Sequence, residues 1–388
     1  MQLKLATMEE GKEPTINSIR ITNQSRGFPM RLLGFLLLFL GIGVGFSIMN
    51  LFKIRYFLGT QNGEHNLMEA CVVHEPRSLD DWIKPPLSYV HTLDDSELLW
   101  RASYVAQVKE YPFKRSPKIA FMFLTRGPLP LSPLWEKFFK GNEEFYSIYI
   151  HTTPSYRANF SSSSVFYRKQ IPSQVVEWGM MNMCDAERRL LANALLDISN
   201  EWFILLSEAC IPLQNFKIVY RYISRSRFSF MGAFDEPGPY GRGRYNKNMF
   251  PEVRISQWRK GSQWFEVNRK LAVDIITDYK YYQKFEHFCK PDCYVDEHYF
   301  PTMLTIQSPH LLANRTLTYV DWSRGGAHPA SFGKDDITQE FIRKIQHGHT
   351  CLYNNQPTSA CYFLQGNLLL MLWCHCYKSL QNCLATDL

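Results

Sequence analysis

Between Leu32 and Phe52 the chain runs 21 residues without a charged side chain (LLGFLLLFLGIGVGFSIMNLF). At about 1.5 Å of rise per residue, a helix of that length crosses a hydrocarbon core of roughly 30 Å. The segment is therefore expected to be a transmembrane helix. It begins too far into the chain, and lacks the small-residue cleavage site, for a removable signal peptide. Arg20, Arg26 and Arg31 precede it, Lys53 and Arg55 follow it, and the bulk of the chain lies on its C-terminal side. That asymmetry favours a cytosolic N-terminus and a single-pass type II arrangement. The expected division is a cytosolic tail over 1–31, a signal anchor over 32–52, a stem over 53–117, a folded luminal domain over 118–361 and a tail of different character over 362–388.

A chain of 388 residues with 45% apolar and 20% charged residues can bury a substantial core. The net charge of +7 is spread along the sequence with no Lys/Arg block. A nucleic-acid arm is thereby excluded, while a basic cleft for a phosphorylated substrate remains compatible. Aromatic residues reach 15%, and several sit among cations and amides, as in Trp258-Arg-Lys-Gly-Ser-Gln-Trp264. Such faces suit sugar rings, whose C–H sides stack while their hydroxyls take hydrogen bonds; burial in the core is the competing explanation.

Beyond the anchor, Asn159-Phe-Ser and Asn314-Arg-Thr are glycosylation acceptors if that side is luminal. Cysteines 71, 184, 210, 289, 293, 351 and 361 lie in the same portion, where an oxidising lumen permits disulfides. Cys289 and Cys293 have a spacing compatible with a local disulfide. A zinc site would need a second ligand pair; the candidate, Cys374-His-Cys376, lies in an apolar tail, so no metal is expected.

Residues 56–117 carry many turn formers and one helical stretch near Ser96–Glu110. Lys118–Thr125 then reads as a buried parallel strand, Leu131–Lys140 as a helix and Ser147–Thr152 as a second strand. Met180–Ser199 has apolar positions at helical spacing, Trp202–Leu206 is a third strand, and Phe216–Arg225 is a helix. Strand alternating with helix implies a doubly wound α/β domain, with its ligand crevice at the strand C-termini. Thr125, Arg126, His151, Thr152, Ser207, Glu208 and Cys210 close those strands. The fingerprints of dinucleotide enzymes, P-loop proteins, serine hydrolases and zinc proteases are absent from the sequence.

Several strings, in order, carry a family likeness: Ala120–Thr125, Phe145–His151, Val176-Glu-Trp-Gly179, Trp202–Pro212, Gly261-Ser-Gln-Trp-Phe265, Asp296-Glu-His-Tyr299 and Tyr319–Ser323. Over about residues 118–360 the chain resembles the core-2/I-branching β-1,6-N-acetylglucosaminyltransferase family, in its plant-type branch. The resemblance implies a Rossmann-like glycosyltransferase A-type fold, Golgi residence, and inverting transfer from a nucleotide sugar, such as a uridine-diphosphate sugar carrying N-acetylglucosamine, to a glycan hydroxyl. It also implies that no metal cofactor takes part; the sequence has no Asp-x-Asp pair to hold one against a diphosphate.

Inverting transfer is a single displacement and needs one base to take the acceptor proton. Glu297 matches the family's base, with Asp296 expected to cap the helix; the alternative is that both merely favour a helix N-terminus. Trp322 matches the acceptor-stacking tryptophan, while its neighbour Arg324 stands where animal members have an aromatic. Arg244 and Tyr245, with Arg242, are candidates for the acceptor rim, with a solvated loop as the alternative. Thr125, Arg126, His151, Glu177 and Trp178 occupy the segments that bind uridine diphosphate in the family; a buried, satisfied His151 is the competing reading. The family also places an Arg and a Lys near its C-terminus against the leaving diphosphate. Here the likeness holds through Cys351–Cys361, and the Ala-x-Lys-Phe-like string that follows in the family has no counterpart. That leaves open a second reading, a membrane-anchored pseudoenzyme or glycan-binding protein.

Overall fold

The computed structural model describes residues 89–105, 114–290, 293–325, 329–333 and 336–366. The apolar run 32–52, Cys71 and the tail beyond Gly366 lie outside the described residues. Among those described, no helix is long and apolar enough to cross a membrane.

Strand β1 (Lys118–Leu124) is flanked on both sides by parallel neighbours, β2 (Tyr146–His151) and β3 (Asn200–Leu206). A strand paired on both edges and covered on both faces has no solvent side, which is why KIAFMFL is a continuous apolar run. Alternation survives as a division between two cores. Ala120, Met122, Phe203 and Leu205 face one, and Ile119, Phe121, Phe123, Ile204 and Leu206 face the other. Beyond β3 the sheet turns antiparallel through β6 (Phe265–Asn268) and β5 (Phe230–Met231), giving the order β2-β1-β3-β6-β5.

The first face is covered by α1 (Asp95–Val105), α3 (Met181–Leu195), α5 (Arg269–Thr277), α6 (Lys280–Phe288) and α7 (Val295–Gln307). On the second lie α2 (Ser132–Phe139), α4 (Phe216–Ser224) and α8 (Gln339–His347). Side chains start several of these helices: Asp94, Asn215, Asn268 and Thr338 accept from backbone N–H groups three residues on, at 2.8, 3.0, 3.0 and 3.1 Å. A second small sheet, β4-β10-β7 (Ile211–Pro212, Leu364–Gln365, Thr318–Tyr319), and the hairpin of β8 (Cys351–Tyr353) with β9 (Gln356–Thr358) complete the architecture.

The elements expected from sequence over 118–225 appear within a few residues of their predicted bounds. Residues 89–105, expected in a stem, instead join the domain: Tyr89, Leu98 and Ala102 are buried in the first core. Trp258 is likewise a core residue, stacked on Phe285 and donating its indole N–H to Gly241 O at 2.9 Å, not a sugar platform. Cys289 and Cys293 are disulfide-bonded, as are Cys351 and Cys361, while Cys184 and Cys210 are buried thiols.

Candidate active site

A cavity of about 390 Å³ opens at the C-terminal ends of β1, β2 and β3. Thr125, Arg126, His151 and Trp178 line it together with Gln174, Ser207 and Glu208. Its location follows from strand geometry, because parallel strands end together and their following loops diverge. Glu177 does not line it: its side chain is exposed, while Val176 and Trp178 on either side face the cavity.

His151 is buried, and its Nε2 accepts from Arg189 Nη1 at 3.0 Å and from the Gln174 N–H at 3.3 Å. Burial, followed by the Arg189 charge, pushes its pKa down to about 3, so the ring is neutral with its proton on Nδ1. That Nδ1–H is buried without a partner among the described residues. His151 is thus buried but not fully satisfied. Arg189 is held in turn by a two-pronged pair with Asp95 of α1, at 2.5 and 2.6 Å. The helix expected in a stem therefore braces the cavity.

A second cavity, of about 240 Å³, adjoins the first and shares Trp178, Gln263 and Trp264 with it. Asp296, Glu297 and Trp322 line this one, with Ser262, Val320 and Ser331. Glu297 stands in the first turn of α7, with its side chain 18% exposed. Its Oε2 lies 3.1 Å from both Arg244 Nη1 and Lys260 Nζ. Arg244 stacks over Tyr294 at 4.3 Å, and Lys260 Nζ lies 5.9 Å from the ring centre of Trp322, which is 43% exposed.

Two sequence features fix this carboxylate. Pro301 has no N–H, so the Glu297 carbonyl four residues back has no helical partner. It accepts instead from the Gly261 N–H at 2.7 Å. Gly261 is required by space: a Cβ there would stand 2.2 Å from Gly232 O and 2.8 Å from Pro301 Cγ. The Gly261–Trp264 loop is thereby tied to the backbone of Glu297.

Asp296 does not cap α7. No side chain caps that helix, and Asp296 is buried with Oδ1 unpartnered among the described residues. Burial first, then the Glu297 charge, raises its pKa to about 7. Tyr245 turns toward the core, donating to Val253 O at 2.7 Å and packing edge-on to Trp258. Arg242 pairs with Asp235 at the surface, away from both cavities. Asn159 and Asn314 are exposed, and Asn314 Oδ1 accepts from the Ala233 N–H at 2.7 Å. Lys260 and Gln263 stand among the aromatics of Trp258–Trp264, so their composition signal was present in the sequence. Asp95 and Arg189 left no such signal.

A three-layer α/β domain thus carries a strand-end cavity that adjoins a carboxylate-and-tryptophan pocket. The profile of the Core-2/I-Branching enzyme matches residues 119–346. The chain is also similar to Glycosyltransferase BC10 of Oryza sativa subsp. japonica, 34% identical over 278 residues that cover 62% of this chain and 69% of the relative. The chain belongs to the Core-2/I-Branching enzyme family and is a glycosyltransferase.

Proposed function

We propose that this protein is a Golgi-resident, single-pass type II enzyme of glycosyltransferase A-type fold that transfers a sugar, with inversion, from a uridine-diphosphate donor to a glycan hydroxyl. The observation that carries the reading is the junction of the two cavities: Glu297 stands one wall away from the strand-end pocket, with Trp322 beside it. Thr125, Arg126, His151 and Trp178 serve the nucleotide side, and Trp322 offers a face for the acceptor. As the acceptor oxygen bonds to the anomeric carbon, Glu297 takes its proton. The bond from that carbon to the diphosphate oxygen breaks, and uridine diphosphate leaves with the electron pair. Arg244 and Lys260 hold the carboxylate in place. Tyr245 and Glu177 are assigned supporting positions in the acceptor and donor loops, not contacts.

The missing Asp-x-Asp supports donor binding without a metal cofactor. The run Leu32–Phe52 supports anchorage, and the two disulfides fit an oxidising lumen in which Asn159 and Asn314 would carry glycans. One observation favours the alternative of a glycan-binding pseudoenzyme: among the described residues Arg126 is the single Lys or Arg lining the donor cavity.

Thermal melting of the full-length protein in excess EDTA decides between them. Uridine diphosphate at 100 times its Kd is expected to stabilise the fold by about 2.7 kcal/mol. No shift with any uridine or other nucleotide sugar, from a cooperatively melting sample, would favour the pseudoenzyme.

A further inference from the structure

Gln263 is shared by both cavities, at the place where a donor's transferred sugar must lie between nucleotide and base. Its amide is not free to rotate. Nε2 donates at 2.9 Å to Oε1 of Glu187, a carboxyl of α3 that is fully buried. Burial holds the Glu187 pKa well above the ordinary carboxylate range, so the group is a neutral carboxyl whose Oε1 accepts from the amide NH₂. The carbonyl Oε1 of Gln263 is consequently turned away from Glu187, and no hydrogen bond to it is formed among the described residues. Pro301 and Gly261 fix the backbone beneath: the Glu297 carbonyl holds the Gly261 N–H two residues before Gln263. A polar group oriented by a buried carboxyl, on a loop pinned to the base, is costly to build unless its outward end has a partner.

We propose that Gln263 is a positioning and specificity residue for the transferred sugar, its Oε1 accepting an O–H or N–H of that sugar while Glu187 holds the amide in orientation. This rests on the donor reading above. On that reading Thr125, Arg126, His151 and Trp178 carry the nucleotide, so the sugar's contribution separates from that of uridine diphosphate.

The test is calorimetric binding of uridine diphosphate, UDP-N-acetylglucosamine, UDP-glucose and UDP-xylose to the full chain. Gln263→Met should raise the ratio of the preferred UDP-sugar's Kd to that of uridine diphosphate about 5- to 10-fold, with the uridine diphosphate Kd within twofold of wild type. Because the single variant strands Glu187, Glu187→Met combined with Gln263→Met removes both partners and should show the same change in ratio with wild-type melting. Glu187→Gln lets either amide flip and should give a smaller rise. An unchanged ratio in both Gln263 variants, with wild-type protein binding the probes, overturns the proposal alone. Wild-type protein that binds no probe overturns the donor reading, and this proposal with it.

Discussion

Gly261→Ala places a side chain where the Gly261 loop closes on α7 and Glu297. The new Cβ would meet the Gly232 carbonyl oxygen at 2.2 Å and Pro301 Cγ at 2.8 Å. Neither neighbour is a flexible side-chain end: one is backbone, the other a ring inside α7. The Gly261 loop must back away, stretching the 2.7 Å hydrogen bond to Glu297 O. Overpacking costs about 1–3 kcal/mol, and an acceptor left unpaired beside Pro301 costs about 1–3 kcal/mol more. With a domain of this size losing roughly 2–4 °C per kcal/mol, the summed cost of about 2–6 kcal/mol should lower the melting temperature by about 4–24 °C. Turnover should fall further than uridine diphosphate affinity, because Gln263 and Glu297 move while Thr125, Arg126 and His151 do not. Melting curves read alongside nucleotide titrations test this. A variant with wild-type melting and wild-type turnover would refute the claim that this close approach holds the base.

Two further outcomes follow from the site. Trp322→Ala removes a ring that is 43% exposed, so melting should hardly change; acceptor KM should rise about tenfold with the nucleotide Kd unchanged, and a rise in the nucleotide Kd instead would reassign the residue. Asp296 keeps its proton in the folded protein up to about pH 7, whereas an unfolded aspartate loses it near pH 4. Its contribution to stability therefore declines as pH rises across that window and stays low above it. The charges of Glu297, Lys260 and Arg244 and the buried Glu187 surround it. Asp296→Asn should accordingly be more stable than wild type at pH 8 and lose that advantage toward pH 4, as read by melting temperature against pH; a constant difference would contradict the assignment.

The sheet was legible because β1 and β3 are buried on both faces, leaving uninterrupted apolar runs that few other structures require. The cavity's position came with it, since parallel strands fix where their loops part. Tertiary packing decided the rest. Nothing in Asp95 or Leu98 marks α1 as part of the domain; that follows from Arg189 needing a carboxylate and the first core needing a cover. Asp296 has a good cap's composition, but Tyr294, at φ 54°, enters the helix in a way that buries the carboxyl. Lys260, Gln263 and Glu187 acquire their roles through one missing N–H at Pro301 and one missing side chain at Gly261. Both absences are visible in the sequence, but their consequence appears only when the two loops meet.

The central claim is that Glu297 takes the acceptor proton, and Glu297→Gln tests it most directly. The amide keeps the shape and can still accept from Arg244 and Lys260, so the fold should be retained, with melting read on the same preparation. Single-turnover transfer from a radiolabelled UDP-sugar, measured with nucleotide affinity on the same preparation, should show transfer reduced about 10²- to 10⁴-fold with the uridine diphosphate Kd unchanged. Transfer within a few-fold of wild type would contradict the account and place the base elsewhere in the cleft.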